Sequence, residues 1–239
     1  MLDQINKLKQ MVEESGNIVF FGGAGVSTES GIPDFRSVDG LYSQQFAYPP
    51  ETILSHSFFI NHTEEFFDFY RKKMVSQTAK PNAAHKKLAQ LEREGKLRAV
   101  ITQNIDNLHQ AAGSKNVLEL HGSIYRNHCI SCGRFYDLNF VLERQGVPRC
   151  PACGGMIKPD VVLYEEPLDT EVIGRSVDYI SHADMLIIGG TSLVVYPAAG
   201  LVRYYRGKKL VLINKGETGY DRNADLIISE PIGSVFSRI

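Results

Sequence analysis

Four cysteines form two close pairs, and thiols in this arrangement can bind a metal ion. Cys129 and Cys132 make one Cys-x2-Cys pair, Cys150 and Cys153 make the other, and 17 residues separate the pairs. Each pair brings two thiolates to one side of a tight turn, so two turns complete a tetrahedral cage for zinc. Four thiolates leave no open coordination position, so we predict a structural zinc rather than a hydrolytic one. A redox or unliganded pair is the alternative, and neighbouring His128 is predicted to be a bystander.

A glycine-rich turn follows a run of apolar residues and could hold a phosphate group. Residues 18–21 are Ile-Val-Phe-Phe, and residues 22–25 are Gly-Gly-Ala-Gly. The apolar run predicts a buried parallel strand, and the glycines let the backbone approach a ligand closely. We expect a helix to begin near Ser27 and to direct the positive end of its dipole at a pyrophosphate. Thr28 occupies the place of the third fingerprint glycine, so a simple turn between a core strand and a helix is the alternative.

Polar residues also follow other predicted strands. The loop at 30–36, Ser-Gly-Ile-Pro-Asp-Phe-Arg, places an acid, an aromatic ring and a guanidinium beside the glycine turn. Gln-Asn-Ile-Asp at 103–106, Gly-Thr-Ser at 190–192 and Asn214 stand at three further strand ends. Ligands of open α/β sheets bind outside the carboxyl ends of the strands. Each group could instead cap a helix, but capping alone explains all four strand ends poorly.

His121 ends another predicted strand and is followed by Gly122, which leaves room for a substrate. Histidine titrates near neutral pH and is therefore suited to general-base catalysis. A structural role is the alternative, and the hydrophobic periodicity does not decide between the two.

Length and composition exclude several classes of protein. The 239 residues can bury a full core, and 26 basic residues nearly balance 27 acidic ones, so no polyanionic partner is favoured. No apolar stretch reaches membrane-spanning length. Residues 1–15 have the periodicity of an amphipathic helix, with Leu2, Ile5, Leu8 and Val12 on one face, rather than the pattern of a signal peptide. We expect a cytoplasmic protein that binds neither membranes nor nucleic acid, with cysteines that hold metal rather than disulfides.

The elements that must position these residues alternate between apolar strands and helices. Strands are predicted at 18–21, 99–102, 117–120, 185–188, 210–214 and 225–229, with extended chain at 161–164. Helices are predicted from Pro81 to Gly95, from Thr170 to His182 and after Pro197. This order predicts a doubly wound, parallel, Rossmann-like α/β sheet formed by residues 1–36, 81–122 and 159–239. A helical insertion at 37–80, whose aromatic residues we expect to pack together, and a zinc-ribbon module at 123–158 would form a smaller second domain.

Taken together, these motifs resemble the sirtuins, a family of NAD-dependent protein lysine deacylases. The motifs occur in the family's order from about Ile18 to Gly233, and the chain is similar to the short bacterial type that contains little besides the catalytic core. The resemblance implies that NAD is consumed as a cosubstrate, that one structural zinc is bound, and that acyl-lysine proteins or peptides are the substrates. The acyl group would be transferred to ADP-ribose with release of nicotinamide.

The resemblance also implies roles for individual residues. His121 and Asn104 would be catalytic, and His121 and Gln103 would contact the nicotinamide ribose. The pyrophosphate and nearby ribose would be held by Ala24, Gly25, Thr28 and Arg36. The nicotinamide pocket would be formed by Phe35, Ile105 and Asp106. The adenosine end would be lined by Thr191, Ser192, Asn214 and Ile232. Asp34, Asn104 and Gly190 would also bind NAD.

A substrate peptide would add as a strand beside Val161, Val162, Leu163 and Tyr164. The sequence departs from the family pattern here, because Tyr164-Glu165-Glu166 replaces the common Phe-Gly-Glu and a side chain stands where glycine usually lets the peptide approach. Gly22 replaces a common Thr or Ser. The Tyr-x-x-Arg pair of relatives that remove acidic acyl groups is absent, since the residue three positions after Tyr70 is Lys73. We therefore expect an acetyl or another uncharged acyl group.

Three other functions are compatible with parts of the sequence. Protein ADP-ribosyl transfer could use the same NAD site. A hydride-transferring dehydrogenase is disfavoured by the missing acid after the glycine turn. A zinc-ribbon that binds nucleic acid would need a basic stripe, and Asp137 and Glu143 interrupt the arginines of the module.

Overall fold

The computed structural model describes residues 2–35, 40–41 and 46–239. Its strands are β1 Ile18–Gly22, β2 Leu97–Thr102, β3 Val117–Glu119, β4 Gly122–Cys129, β5 Phe135–Tyr136, β6 Ile157–Val161, β7 Met185–Gly189, β8 Leu210–Ile213 and β9 Leu226–Ile228. Its α-helices are α1 Leu2–Glu13, α2 Pro50–Ile53, α3 His56–Asn61, α4 Thr63–Phe69, α5 Ala83–Arg93, α6 Leu108–Ala111, α7 Leu138–Leu142, α8 Thr170–His182 and α9 Ile232–Phe236. Single 3-10 turns or short 3-10 stretches lie at Ala24–Val26, Thr28–Ser30, Ala198–Tyr204 and Asp221–Asn223, and a π-helical turn at Tyr70–Met74.

Six strands form one parallel sheet in the order β3-β2-β1-β7-β8-β9. This is the strand order of a Rossmann sheet, in which the order reverses between the first and fourth strands. Both faces are covered, since β1 sends Ile18 and Phe20 into one apolar core and Val19 and Phe21 into another. The predicted doubly wound α/β fold is therefore confirmed.

The helices reflect their local sequence. In α5, Asn82 accepts a hydrogen bond from the Ala84 amide and the His85 ring accepts one from the Asn82 amide, which together form a capping box. In α8, the Asp169 carboxylate caps two amides of the first turn. Both helices present an apolar face to the large sheet.

A second, three-stranded sheet has the order β5-β4-β6 and is antiparallel. It shares one apolar core with α2, α3 and α4. Phe59, Phe66 and Phe67 are almost fully buried in this core and make edge-on contacts with one another. The aromatic residues of this region thus pack together, as the sequence predicts.

Three sequence predictions are wrong in detail. No α-helix begins near Ser27, because Gly31 adopts a left-handed conformation (φ 85°) after two 3-10 turns. The chain after Pro197 forms a 3-10 segment. In the predicted extended chain at 161–164, Val161 belongs to β6 and Tyr164 forms an isolated parallel bridge with Ser55. Leu2 is exposed, whereas the remainder of the predicted apolar face of α1 is buried.

Within the described residues, no helix combines the length and the apolar character needed to cross a bilayer.

Candidate functional site

The glycine turn after β1 interlocks with a second glycine turn after β7. The Gly25 amide donates to the Gly190 carbonyl oxygen at 2.8 Å, and the Gly23 amide donates to the Gly189 carbonyl oxygen at 3.3 Å. A Cβ on Gly25 would lie 2.8 Å from the Gly190 Cα, so a side chain there is sterically excluded. The contact falls where the strand order reverses, which is the usual ligand crevice of such sheets.

The backbone around Ser27 does not provide the helix N-terminus that the sequence predicts. Ala24, Gly25 and Thr28 instead lie on two consecutive 3-10 turns, and the Thr28 hydroxyl donates to the Gly25 carbonyl oxygen at 3.0 Å. Any anion at this turn would therefore be bound by individual amides and hydroxyls, without the dipole of a long helix.

Ser27 connects two residues of the motif that follows β2. Its hydroxyl donates to Asp106 Oδ2 at 2.6 Å and accepts from Asn104 Nδ2 at 3.1 Å. Burial raises the pKa of the Asp106 carboxyl, and the hydrogen bond from Ser27 opposes that rise. A carboxylate and an amide side by side can hydrogen-bond both the N–H and the C=O of a carboxamide.

His121 lies next to this motif. Its Nδ1 is 3.0 Å from the Gln103 carbonyl oxygen, and Gln103 Nε2 donates to Thr191 Oγ1 at 3.1 Å. The ends of β2, β3 and β7 are thereby linked. A carbonyl oxygen only accepts hydrogen bonds, so Nδ1 carries the proton and Nε2 keeps its lone pair. Burial lowers the pKa of His121, while the bond to Gln103 opposes the shift. The imidazole is thus neutral and basic at neutral pH.

The predicted nicotinamide residues lie at the junction with the small core. Phe35 and Ile105 both pack against that core, and the Ile105 carbonyl oxygen accepts from the Ile124 amide at 3.2 Å. The Asp34 carbonyl oxygen accepts from the Leu41 amide at 2.8 Å. Arg36, which the sequence assigns to the pyrophosphate, lies outside the described residues.

The predicted adenosine residues divide into two groups. Thr191 lies at the glycine turn after β7, where its hydroxyl accepts a hydrogen bond from Gln103. Asn214 lies at the end of β8, where its side-chain amide donates to the Gly216 carbonyl oxygen. Asn214 also lines a cavity of about 240 Å³. The sequence analysis missed the other polar residues of this cavity, although their position after strand ends could have indicated them. They are Lys215, Glu217, Thr218, Asp221 and Ser229.

Ile232 does not face this cavity with its side chain. It is 2% exposed and packs onto Gly189 in the core of the large sheet. The amides that follow it, those of Gly233 and Ser234, donate to the Glu29 carboxylate. Glu29 was not singled out from the sequence, and it joins the 3-10 turn at Thr28–Ser30 to the start of α9.

The segment predicted to receive a peptide is attached on several sides. The Val162 amide donates to the His121 carbonyl oxygen at 3.0 Å, and Tyr164 pairs with both Leu54 and His56 through its backbone. Leu163 is buried and Tyr164 is exposed.

Glu165, which replaces the usual glycine, has φ 75° and turns its carboxylate towards α3. The Ser57 amide and hydroxyl donate to it at 2.8 and 2.5 Å. These hydrogen bonds lower the pKa of Glu165. The additional side chain therefore binds a neighbouring helix.

The four cysteine sulfurs form a compact cluster. All lie within 4.8 Å of one another, with Cys129–Cys153 at 3.5 Å and Cys132–Cys150 at 3.7 Å. Zinc–sulfur bonds of about 2.3 Å in a tetrahedron place the sulfurs about 3.8 Å apart, so the cluster fits zinc. His128 instead packs against Phe135, with ring centroids 5.6 Å apart.

The profile of the Sir2 family matches residues 23–197. The chain belongs to the Sir2 family. Two NAD-dependent protein deacetylases resemble this Sir2 family member over its full length: the protein of Clostridium acetobutylicum is 63% identical and that of Clostridium tetani is 60% identical, and the alignments cover 100% of this chain and 99% and 98% of the relatives.

Solved Sir2 structures share the fold. A Sir2–p53 peptide–NAD+ structure has a TM-score of 0.87 at 40% identity, and one with deacetylated p53 peptide and 3'-O-acetyl ADP ribose has a TM-score of 0.90 at 39% identity. Both comparisons cover 98% of this Sir2 family member and 96% of the solved chain.

Proposed function

We propose that this protein is an NAD-dependent protein lysine deacetylase that transfers the acyl group of acyl-lysine to ADP-ribose and releases nicotinamide. The observation that carries the proposal is the linkage of three strand ends by Gln103, which fixes a neutral imidazole at His121 beside the glycine turns. Family membership and the names of the full-length relatives support the same activity.

The interlocked turns at Gly25 and Gly190 would hold the pyrophosphate of NAD, because their backbones can approach a ligand without a Cβ in the way. Ala24, Thr28 and Arg36 would complete this part of the site. Thr191, Ser192 and Asn214 would line the adenosine end, and the neighbouring cavity supports that position. Ile232 would contribute through its backbone, since its side chain is buried.

Asp106 and Asn104 would bind the carboxamide of nicotinamide, with Ser27 fixing their relative orientation. Phe35 and Ile105 would form the apolar wall of this pocket, and Asp34 would support the loop from which Phe35 projects. Bound NAD supplies an electrophilic ribose carbon once nicotinamide departs. An apolar wall excludes water from that carbon and favours attack by the acyl oxygen.

His121 would act as the general base. Its Nε2 lone pair can accept a proton from a ribose hydroxyl, and the hydrogen bond from Nδ1 to Gln103 stabilises the imidazolium that forms. The lowered pKa keeps the ring unprotonated and ready at neutral pH.

Acyl-lysine peptides would bind along Val161, Val162, Leu163 and Tyr164. Solved Sir2 structures contain acetylated peptide or p53 peptide, which supports this partner class. Glu165 would leave this path open, since its carboxylate accepts hydrogen bonds from Ser57.

The zinc would hold the small sheet together, and the insertions at 37–80 and 123–158 would act as one small domain, since they share an apolar core. Cysteines that bind metal must remain reduced, which favours a reducing compartment and supports a cytoplasmic location.

The deciding experiment incubates the purified zinc protein with NAD and an acetyl-lysine peptide. We expect deacetylated peptide, nicotinamide and acetyl-ADP-ribose in equal amounts. Labelled protein without loss of acetyl groups would instead establish ADP-ribosyl transfer, and absorbance of NADH would establish a dehydrogenase. A panel of acetyl, butyryl and succinyl peptides tests the preference for uncharged acyl groups.

A further inference from the structure

Arg126 of β4 connects the small sheet to the large one. Its Nε donates to Asp160 Oδ2 on β6 at 2.7 Å, and its Nη1 donates to Glu119 Oε2 at the end of β3, also at 2.7 Å. Gln110 Nε2 donates to the other oxygen of Glu119 at 2.8 Å. One guanidinium therefore pairs with a carboxylate from each sheet.

The burial of Glu119 separates this contact from an ordinary surface ion pair. Its side chain is 7% exposed, whereas those of Arg126 and Asp160 are 43% and 44% exposed. Fully exposed pairs contribute little because water and salt screen them. A buried carboxylate that accepts charge-assisted hydrogen bonds at both oxygens is held in one orientation. Burial lowers the pKa of Arg126, but the hydrogen bonds and charges of Asp160 and Glu119 outweigh it and raise the pKa overall.

Glu119 and Arg126 flank the proposed catalytic histidine along the chain. Glu119 and Arg126 are seven residues apart, and His121 and Gly122 lie between them. Gly122 begins β4 opposite Val161, and Ser123 lies opposite Asp160. The backbone carbonyl of His121 also receives the Val162 amide. Any rotation of the small sheet about Gly122 would therefore move His121 unless Arg126 holds the two sheets together.

We propose that Arg126 is a positioning residue for His121: it pairs with Glu119 and Asp160, fixes the two sheets relative to each other and so holds the imidazole at the ribose. This inference rests on the proposed deacetylation for its kinetic consequence, while the fastening of the sheets can be measured separately.

The test compares Arg126→Ala and Arg126→Lys with the wild-type zinc protein in turnover of acetyl peptide and NAD. We expect the alanine variant to lower kcat about tenfold, because a small displacement of a general base slows proton transfer strongly, and to change KM for NAD less than about twofold. Lysine should restore only part of kcat, since one ammonium cannot reproduce donors from two guanidinium nitrogens. Lys72→Ala, which removes an exposed ion pair with Asp68, is the matched control and should leave kcat unchanged.

Glu119→Gln should also lower kcat. Combining it with Arg126→Ala should lower kcat little further, because both substitutions disrupt the same ion pair between Arg126 and Glu119. Zinc content and melting temperature identify loss of folded protein. A wild-type kcat in Arg126→Ala, or a loss of kcat that matches the lost zinc or folded fraction, would overturn the inference while the proposed function stands.

Hydrogen–deuterium exchange provides the readout that needs no activity. We expect faster exchange at 119–126 and 158–163 in Arg126→Ala and unchanged exchange in Lys72→Ala. If the wild type turns over no acetyl peptide, the proposed function fails, and the exchange result alone decides whether Arg126 fastens the sheets. Unchanged exchange at both segments would contradict it.

Discussion

At the scale of single residues, the chemistry of the site depends on the tautomer and pKa of one imidazole. Gln103 offers a carbonyl oxygen to Nδ1 of His121, which places the lone pair on Nε2. Desolvation by burial lowers the pKa, since the charged imidazolium loses water. Burial therefore favours a ring that is already deprotonated at neutral pH, while the hydrogen bond to Gln103 determines that Nε2 is the nitrogen that accepts a proton.

The pH dependence of turnover follows from this pKa. A base works only when deprotonated, so kcat/KM should be constant above neutrality and should fall with acid only below pH 6.5, the ordinary value for histidine. We expect the acid limb of the profile of kcat/KM for the acetyl peptide to lie below that pH. An acid limb above pH 6.5 would show that His121 is not the base or is not buried in the working enzyme.

His121→Ala separates chemistry from binding. We expect turnover to fall at least about a hundredfold, as for loss of a general base, while NAD binding measured by calorimetry persists. His182→Ala, on the exposed part of α8, serves as the control and should retain full turnover.

At the scale of elements, the small sheet is short, and we expect its stability to depend on its metal. β5 has two residues, and β4 and β6 pair across a register shift. Zinc held by the four cysteines would fasten the end of β4 to the turn before β6, in addition to the apolar core that the small sheet shares with α2, α3 and α4. The large sheet has its own two cores and does not depend on zinc for packing.

Removal of zinc should therefore disorder the small sheet and leave the large one folded. We expect Cys150→Ser, or treatment with a strong chelator, to lose one zinc per chain and all deacetylation, with faster amide exchange across 122–163. Amides of β1 and β7 should stay protected. A zinc-free protein with unchanged melting temperature and exchange would contradict this account.

Two buried histidines link α5 to α6. His85 and His109 are essentially inaccessible, their ring centroids are 4.7 Å apart, and three of their ring nitrogens have no hydrogen-bond partner within the protein. Burial lowers the pKa of His85 to about 4 and that of His109 well below 6.5. Both rings are neutral in the folded protein across the physiological range.

Acid should destabilise the fold through this pair. Well above pH 6.5 neither the folded nor the unfolded state binds a proton at these rings, so the free energy of unfolding does not depend on them. Between pH 6.5 and about pH 4, His85 is protonated in the unfolded chain but not in the folded protein. This difference lowers the free energy of unfolding by about 3 kcal/mol over that interval. Urea unfolding at pH 7.5 and 5 should show about 2 kcal/mol of this loss from His85, because pH 5 lies about 1.5 units below the pKa of an unfolded histidine. His109→Leu should reduce the difference between the two pH values, whereas His182→Ala should not.

The sequence predicts those elements whose signal is local. β7 and α8 lie where the sequence predicts them, at the apolar run 185–188 and at Thr170–His182. β4 and β6 were missed because their pairing is set by distant partners and by the metal site rather than by their own periodicity. The helix expected at Ser27 failed because the left-handed Gly31 ends the second 3-10 turn. Glu119 and Arg126 belong to no sequence motif, so their pairing is visible only in the folded structure.

At the scale of the whole molecule, two sheets meet at one glycine. Gly122 has φ 73°, and a Cβ there would collide with the Asp160 carbonyl oxygen of the opposing strand. The chain passes from His121, which belongs to the large sheet's ligand edge, directly into β4 of the zinc-bearing sheet. Gly122 is therefore a closely packed backbone junction between the two sheets.

Gly122→Ala tests this junction, and Gly95→Ala is its matched control. Gly95 has nearly the same φ, 75°, but no atom within 4 Å of an added Cβ, so its substitution measures conformational strain alone, about 1 kcal/mol. Gly122→Ala adds the collision with the opposing strand, so we expect it to lower the free energy of unfolding by about 1–3 kcal/mol more than Gly95→Ala does. Because separation of the strands displaces His121, kcat should fall in Gly122→Ala even where the protein remains folded and zinc-loaded. Equal stability and equal kcat in the two variants would show that the crossing does not control the site.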